Sequence, residues 1–194
     1  LFFLNIFLMS FLPVCASGFD LIGKHRIIAD GTEQEVVVTA IDIFTSDLTK
    51  VAGKDILESG TEIIIGTIGS GSTADRLISK RKISVKEITN KWEAFKIICL
   101  NDKQLVVVGS TPRGTAYGVL ELSRMIGVSP WEWWADVTPK PQSSVKIKKG
   151  VVTIQSPSVE YRGIFLNDED WGLVPWSCRT FEPSSIPNHI GPKT

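Results

Sequence analysis

Four residues in a row, Asn167, Asp168, Glu169 and Asp170, follow the apolar stretch YRGIFL and precede two tryptophans, Trp171 and Trp176. Carboxylates and amides are the groups that hold sugar hydroxyls, and a carboxylate can also take a proton from an attacking water. Indole rings cover the C–H faces of a sugar. If Tyr161–Leu166 is a strand, the acidic residues lie at its carboxyl end, the active-site face of a β/α barrel. Without that context the same four residues read as a solvated acidic turn, and both readings stand at this point.

Other residues invite chemistry and support it less well. Gly66 to Gly71, GTIGSG, lies between a strand and a helix start, where backbone amides and the helix dipole can hold a phosphate. Its spacing is not that of the dinucleotide fingerprint, and it lacks a Gly-Lys-Ser/Thr, so a tight strand-to-helix turn is expected instead. The two histidines, His25 and His189, come with no Cys/His spacing, which argues against a metal site or a histidine-dependent triad. No cofactor is implied. Trp131-Glu132-Trp133-Trp134 gathers half of the six tryptophans. Packing of one domain on another is favoured there over a carbohydrate platform.

The chain has 194 residues, no formal net charge and 43% hydrophobic residues, enough for one full domain and something extra. A balanced charge gives no reason to expect nucleic acid or an anionic membrane as partner. LFFLNIFLMSFLPVCAS is apolar from Leu1 to Val14, too short to span a bilayer, and ends in the small residues Cys15, Ala16 and Ser17. Residues 1–17 therefore read as a secretory signal, its start missing because Leu1 stands where a methionine would and no basic residue precedes the run. A secreted or periplasmic protein is expected. The alternatives are a buried apolar helix and a lipid anchor at Cys15. Cys15 leaves with the signal, Cys99 falls in an apolar strand and Cys178 in a Pro/Ser-rich segment; nothing in the sequence pairs them.

The elements that must position these groups follow from periodicity and punctuation. KHRIIA reads as a strand, and Val36, Val37, Ala40, Ile41, Phe44, Leu48 and Val51 lie at helical spacing before the stop at Gly53. Thr61–Ile65 reads as a strand buried on both faces, and Ser72 with Asp75 has capping-box spacing for a helix to about Lys80. Ser84–Thr89, Ala94–Leu100 and Gln104–Gly109 read as strands, the last two joined by an Asn101-Asp102-Lys103 hairpin turn. Thr111, Pro112 and Gly127 bracket a helix with Ala116, Val119, Leu120, Ser123 and Ile126 along one face. VKIKKGVVTI is a last strand, ending the domain near Ser156. The order predicts an α/β sandwich, helices against a mixed sheet of four or five strands.

TPRGTAYGVLELSRMIGVSPWEWWADV, VEYRGIFLNDEDWGLVPW and PNHIGPKT together resemble the amino-terminal portion of the family 115 glycoside hydrolases, the xylan α-1,2-glucuronidases, from about His25 onward. The resemblance implies a small α/β domain over 18–156, then the start of a truncated (β/α)8 barrel over 157–194 with Tyr161–Leu166 as its first strand. It implies hydrolysis, with inversion, of (4-O-methyl)glucuronic acid side chains, and hence an acid for the leaving oxygen and a base for water. The family's principal catalytic carboxylates come from later barrel strands, so no catalytic residue is expected in this chain, which would be inactive alone. Glu169, Asn167, Asp168 and Trp171 are then the expected substrate-binding residues, Glu169 foremost. Glucuronoxylan or a related polysaccharide is the implied partner, and the longer protein admits a homodimer. Two rival readings are a secreted, non-catalytic carbohydrate-binding module and a purely structural support domain.

Overall fold

The computed structural model describes residues 18–30, 33–53, 57–163 and 165. The chain divides into two units, Leu1–Ser158 and Val159–Thr194. In the first, β1 (Gly18–Asp20), β2 (Lys24–Ile28), α1 (Glu35–Ala52), β3 (Glu58–Thr67), α2 (Thr73–Arg81) and β4 (Phe95–Cys99) are followed by β5 (Gln104–Gly109) and α3 (Pro112–Met125). The short α4 (Glu132–Ala135), β6 (Lys146–Lys148) and β7 (Gly150–Gln155) complete it.

Five strands form the expected mixed sheet, and their order is β2-β3-β5-β4-β7. β2, β3 and β5 run parallel, while β4 is antiparallel to both of its neighbours. Ile63, Ile64 and Ile65 lie opposite Leu105, Val106 and Val107. Because strand side chains alternate, Ile63, Ile65, Leu105 and Val107 join Ile97 and Cys99 on one face, under α1 and α3. Ile64, Ile98 and Val106 take the other face with Ala74 of α2. The result is three layers. The near-continuous apolar sequence of β3 and β5 is what a doubly covered sheet requires.

The helices end where the local chemistry says they should. Gly53 has φ 84 after α1, and the Thr111 hydroxyl accepts from the Gly114 amide at the start of α3. The expected single face of α3 is too narrow: Leu122 and Glu121 are buried as well as Ala116, Val119 and Ser123. This helix packs against α1 as well as the sheet, so a wider arc leaves solvent.

Two readings are corrected. Ser84–Thr89 is a turn and no strand: Ile88 and Thr89 amides both donate to Val85 O. Its apolar residues Val85 and Ile88 are three apart, the spacing of a turn rather than the two of a strand. Lys96 of β4, buried, pins that turn by donating to Ser84 O at 2.7 Å and to Glu87 at 3.1 Å. Second, VKIKKGVVTI is two strands. Gly150, at φ 118, breaks the run, β6 pairing with β1 in a separate two-stranded sheet and β7 with β4. β1 itself, three residues long, carried no sequence signal.

In the second unit, Tyr161, Arg162, Gly163 and Phe165 are the described residues of the expected first barrel strand. None of them is in a strand, and Tyr161 and Phe165 are almost wholly exposed. A barrel strand is held by hydrogen bonds from both neighbours; among the described residues no strand pairs with this segment.

Candidate functional site

Helices α2 and α3 leave the adjacent parallel strands β3 and β5 toward opposite faces of the sheet. In an open α/β sheet that divergence makes the crevice where ligands settle, beyond the carboxyl ends of the strands. Here the chain fills the crevice with its own carboxylates. Glu33 accepts from the Thr67 amide at 3.3 Å and the Thr67 hydroxyl at 3.2 Å. Asp30 accepts from the Thr73 amide, the first of α2, at 2.6 Å. Asp75 accepts from Gly69 N at 3.2 Å and Gly71 N at 2.8 Å, while its own amide donates to the Ser72 hydroxyl. The Ser72 cap is thus present, but Asp75 reaches back to the glycine turn instead of to Ser72 N. An incoming phosphate would have to displace an acid of the protein itself, so the turn is a closed joint, as its spacing suggested.

The Arg-Gly-x-x-x-Gly start of α3 has a packing reason. A side chain on Gly114 would strike the backbone of Glu93 and Ala94, and one on Gly118 would meet Val107 Cγ1 at 2.7 Å and Phe95 Cβ at 3.2 Å. Thr115, between them, shares a hydrogen bond of 2.8 Å with Thr67 across the β3–β5 boundary. This part of the motif fastens a helix to a sheet.

His25 is structural too. Its ring stacks on Phe19, Nε2 faces Leu21 O at 2.9 Å, and Nδ1 faces the hydroxyls of Thr61 at 2.6 Å and Ser59 at 3.2 Å. Burial lowers its pKa. Among the described residues no group of three His, Cys, Asp or Glu side chains is placed to hold a metal, and no helix is long and apolar enough to cross a membrane. Cys99 is a buried free thiol.

Trp131 is exposed, and Glu132 beside it receives Lys50 at 2.7 Å, tying α4 to α1. The sequence-predicted site residues, Asn167, Asp168, Glu169 and Trp171, lie outside the described residues, as do Cys15, Asp170, Trp176, Cys178 and His189. Sequence reading passed over Asp30, Glu33 and the loop around Glu93, which occupy the carboxyl edge of the sheet. A signal for the first two was their position directly after a strand.

Comparison with known proteins places these observations. The sequence model described as Glycosyl hydrolase family 115 matches residues 154–193, the stretch that holds the acidic cluster and both of its tryptophans. A solved structure described as a novel family GH115 4-O-methyl-α-glucuronidase, BtGH115A, with specificity for decorated arabinogalactans, is 45% identical to this chain. It is matched over 87% of this chain at a TM-score of 0.71, and the chain spans 22% of that structure's length. The structure of CpGH84D is matched over 53% of this chain and 17% of its own, at 13% identity and a TM-score of 0.41. No curated protein sequence matches the chain. With the family's own sequence model on its acidic segment and a solved member alike over most of its length, the chain belongs to glycosyl hydrolase family 115.

Proposed function

We propose that this chain belongs to an exported enzyme that hydrolyses (4-O-methyl)glucuronic acid from the side chains of a polysaccharide, and that residues 18–156 support its catalytic region. The observation that carries the reading is the 45% identity over 87% of the chain to a family 115 4-O-methyl-α-glucuronidase. The closed carboxyl edge of the sheet favours a supporting role for the α/β unit, since its strongest donors already bind Asp30, Glu33 and Asp75. On this reading the acid and base of an inverting hydrolysis are supplied from outside the 194 residues. The polysaccharide is glucuronoxylan or another chain capped by the same acid, decorated arabinogalactan being the substrate class of the solved relative.

Glu169 is then the residue to test, in the longer protein. A glucuronate carboxylate beside every acid of the cluster would be repelled in a dry pocket. Glu169 therefore meets sugar hydroxyls or water, Asn167 and Asp168 orient it, and Trp171 lines the wall. Glu169→Gln and Glu169→Ala should each lower turnover on glucuronoxylan or glucuronate-capped arabinogalactan at least about tenfold, about 1.4 kcal/mol of lost transition-state contact, with an unchanged melting temperature. Wild-type turnover in both variants would reduce the cluster to a solvated turn. The 194-residue chain assayed alone is the control and should release no glucuronic acid.

Export is tested separately. The apolar run before Cys15-Ala16-Ser17 should be absent from mature protein, whose amino terminus, read by sequencing, falls near Ala16 or Ser17. Recovery of exported protein that still carries Leu1–Val14 rules out cleavage there.

A further inference from the structure

The turn before β4 holds a half-exposed tryptophan on a rigid and strained backbone. Asn90 has φ 58 and Glu93 φ 40. Asparagine tolerates the left-handed region, but for glutamate it is an uncommon conformation, and such residues persist only where the surroundings over-determine them. Here they do. Ala94 N donates to the Ser110 hydroxyl at 2.9 Å, Ser110 N donates to Ala94 O at 2.8 Å, and the Ser156 hydroxyl donates to Trp92 O at 3.2 Å. Trp92 is left 47% exposed on this support.

Next to it, Glu93 is 4% exposed and accepts from Arg113 Nη1 at 2.9 Å, while the arginine side chain is 65% exposed. A buried acid thus holds a guanidinium outward by one of its nitrogens. The loop's anchor Ser156 lies inside the stretch 154–193 that matches the family.

We propose that Trp92 and Arg113 form a secondary binding subsite for uronic-acid-bearing oligosaccharide, the indole under a pyranose face and the guanidinium on the uronate carboxylate. The chemistry fits the two groups: an aromatic face takes C–H surface, and an arginine fork takes a planar carboxylate. The backbone is already fixed, so little ordering entropy is lost when a sugar lands. The choice of an acidic sugar rests on the glucuronidase reading above; the platform itself rests on the geometry of the loop.

The test uses the 194-residue chain with three probes: a xylo-oligosaccharide carrying a 4-O-methylglucuronic acid branch, a glucuronic-acid-capped galacto-oligosaccharide, and the unbranched xylo-oligosaccharide. Calorimetry and indole fluorescence should show the acidic probes binding more tightly than the neutral one. Trp92→Ala should weaken all three at least about tenfold, about 1.4 kcal/mol. Arg113→Lys, which keeps a cation for Glu93 and so protects the fold, should weaken only the acidic probes, and Trp131→Ala should change none. No binding at millimolar probe, wild-type affinity in either loop variant, or equal affinity for acidic and neutral probes each overturns the subsite. Glucuronic acid release by the longer protein separates the two ideas. Cleavage with unaltered binding in the variants sinks the subsite alone, and variant-sensitive binding without cleavage sinks the enzymatic reading alone.

Discussion

Gly109→Ala should cost the α/β unit about 3 kcal/mol or more, a large part of the stability of a domain this size. The last residue of β5 lies directly under the first turn of α3. An added methyl there would overlap Thr115 N and Thr115 Oγ1 and sit 2.6 Å from the Gly114 carbonyl carbon. Two of these atoms are backbone, so no rotamer change relieves the clash. Moving the helix would break the Thr67–Thr115 bond and lift Val119 and Leu122 from the sheet. Urea denaturation should show a much lower midpoint or no folded baseline. Gly163→Ala, where a methyl meets nothing within 4 Å, is the control and should stay within about 0.5 kcal/mol of the parent. A Gly109→Ala protein with the parent's midpoint would mean that α3 does not sit on β5 as described.

The second large effect is expected at Asp20 and depends on pH. Burial by itself would raise this carboxyl, but donors from Ser144 at 2.7 Å, Val145 N at 2.9 Å and Ile22 N at 3.1 Å, with Lys146 at 3.0 Å, override it and hold the pKa at about 2, below the ordinary 3.8. The folded state therefore binds fewer protons than the unfolded one between those values. Asp20 contributes its full share of stability above pH 3.8 and loses it as pH falls through about 2. With its side chain only 25% exposed, that share is about 2 kcal/mol. Asp20→Asn should be destabilised by about this amount at pH 7 and should converge on the parent near pH 2, in urea titrations run across that range. A gap that is as wide at pH 2 as at pH 7 would show that the loss comes from packing and not from the charge.

Most of the first unit was legible because its signals are local. α1 and α3 announce themselves by 3.6-residue periodicity and by Gly53, Thr111 and Pro112, and β3, β4 and β5 by runs of β-branched residues. What escaped depends on partners far away in sequence. Nothing local in GFD marks it as a strand; it becomes one by pairing with Lys146–Lys148. Nothing in VKIKKGVVTI says that its halves serve different sheets, apart from a glycine whose φ is visible only once folded. The acidic cluster was legible as chemistry and not as geometry. Asn167 to Trp171 are named by residue type and family likeness, and they lie outside the described residues.

The pairing of β1 with β6 also bears on how the molecule comes into being. A chain made from its amino end presents Asp20 early, whereas Val145, its partner, emerges 125 residues later. The first strand therefore waits for almost the entire unit before it is fastened, and β7 arrives later still to close β4. Contacts so distant carry a heavy loop-closure entropy and slow folding compared with helical bundles of similar size. Until residues 146–155 appear, β4 has an open edge, the kind of intermediate that invites strand pairing between nascent chains.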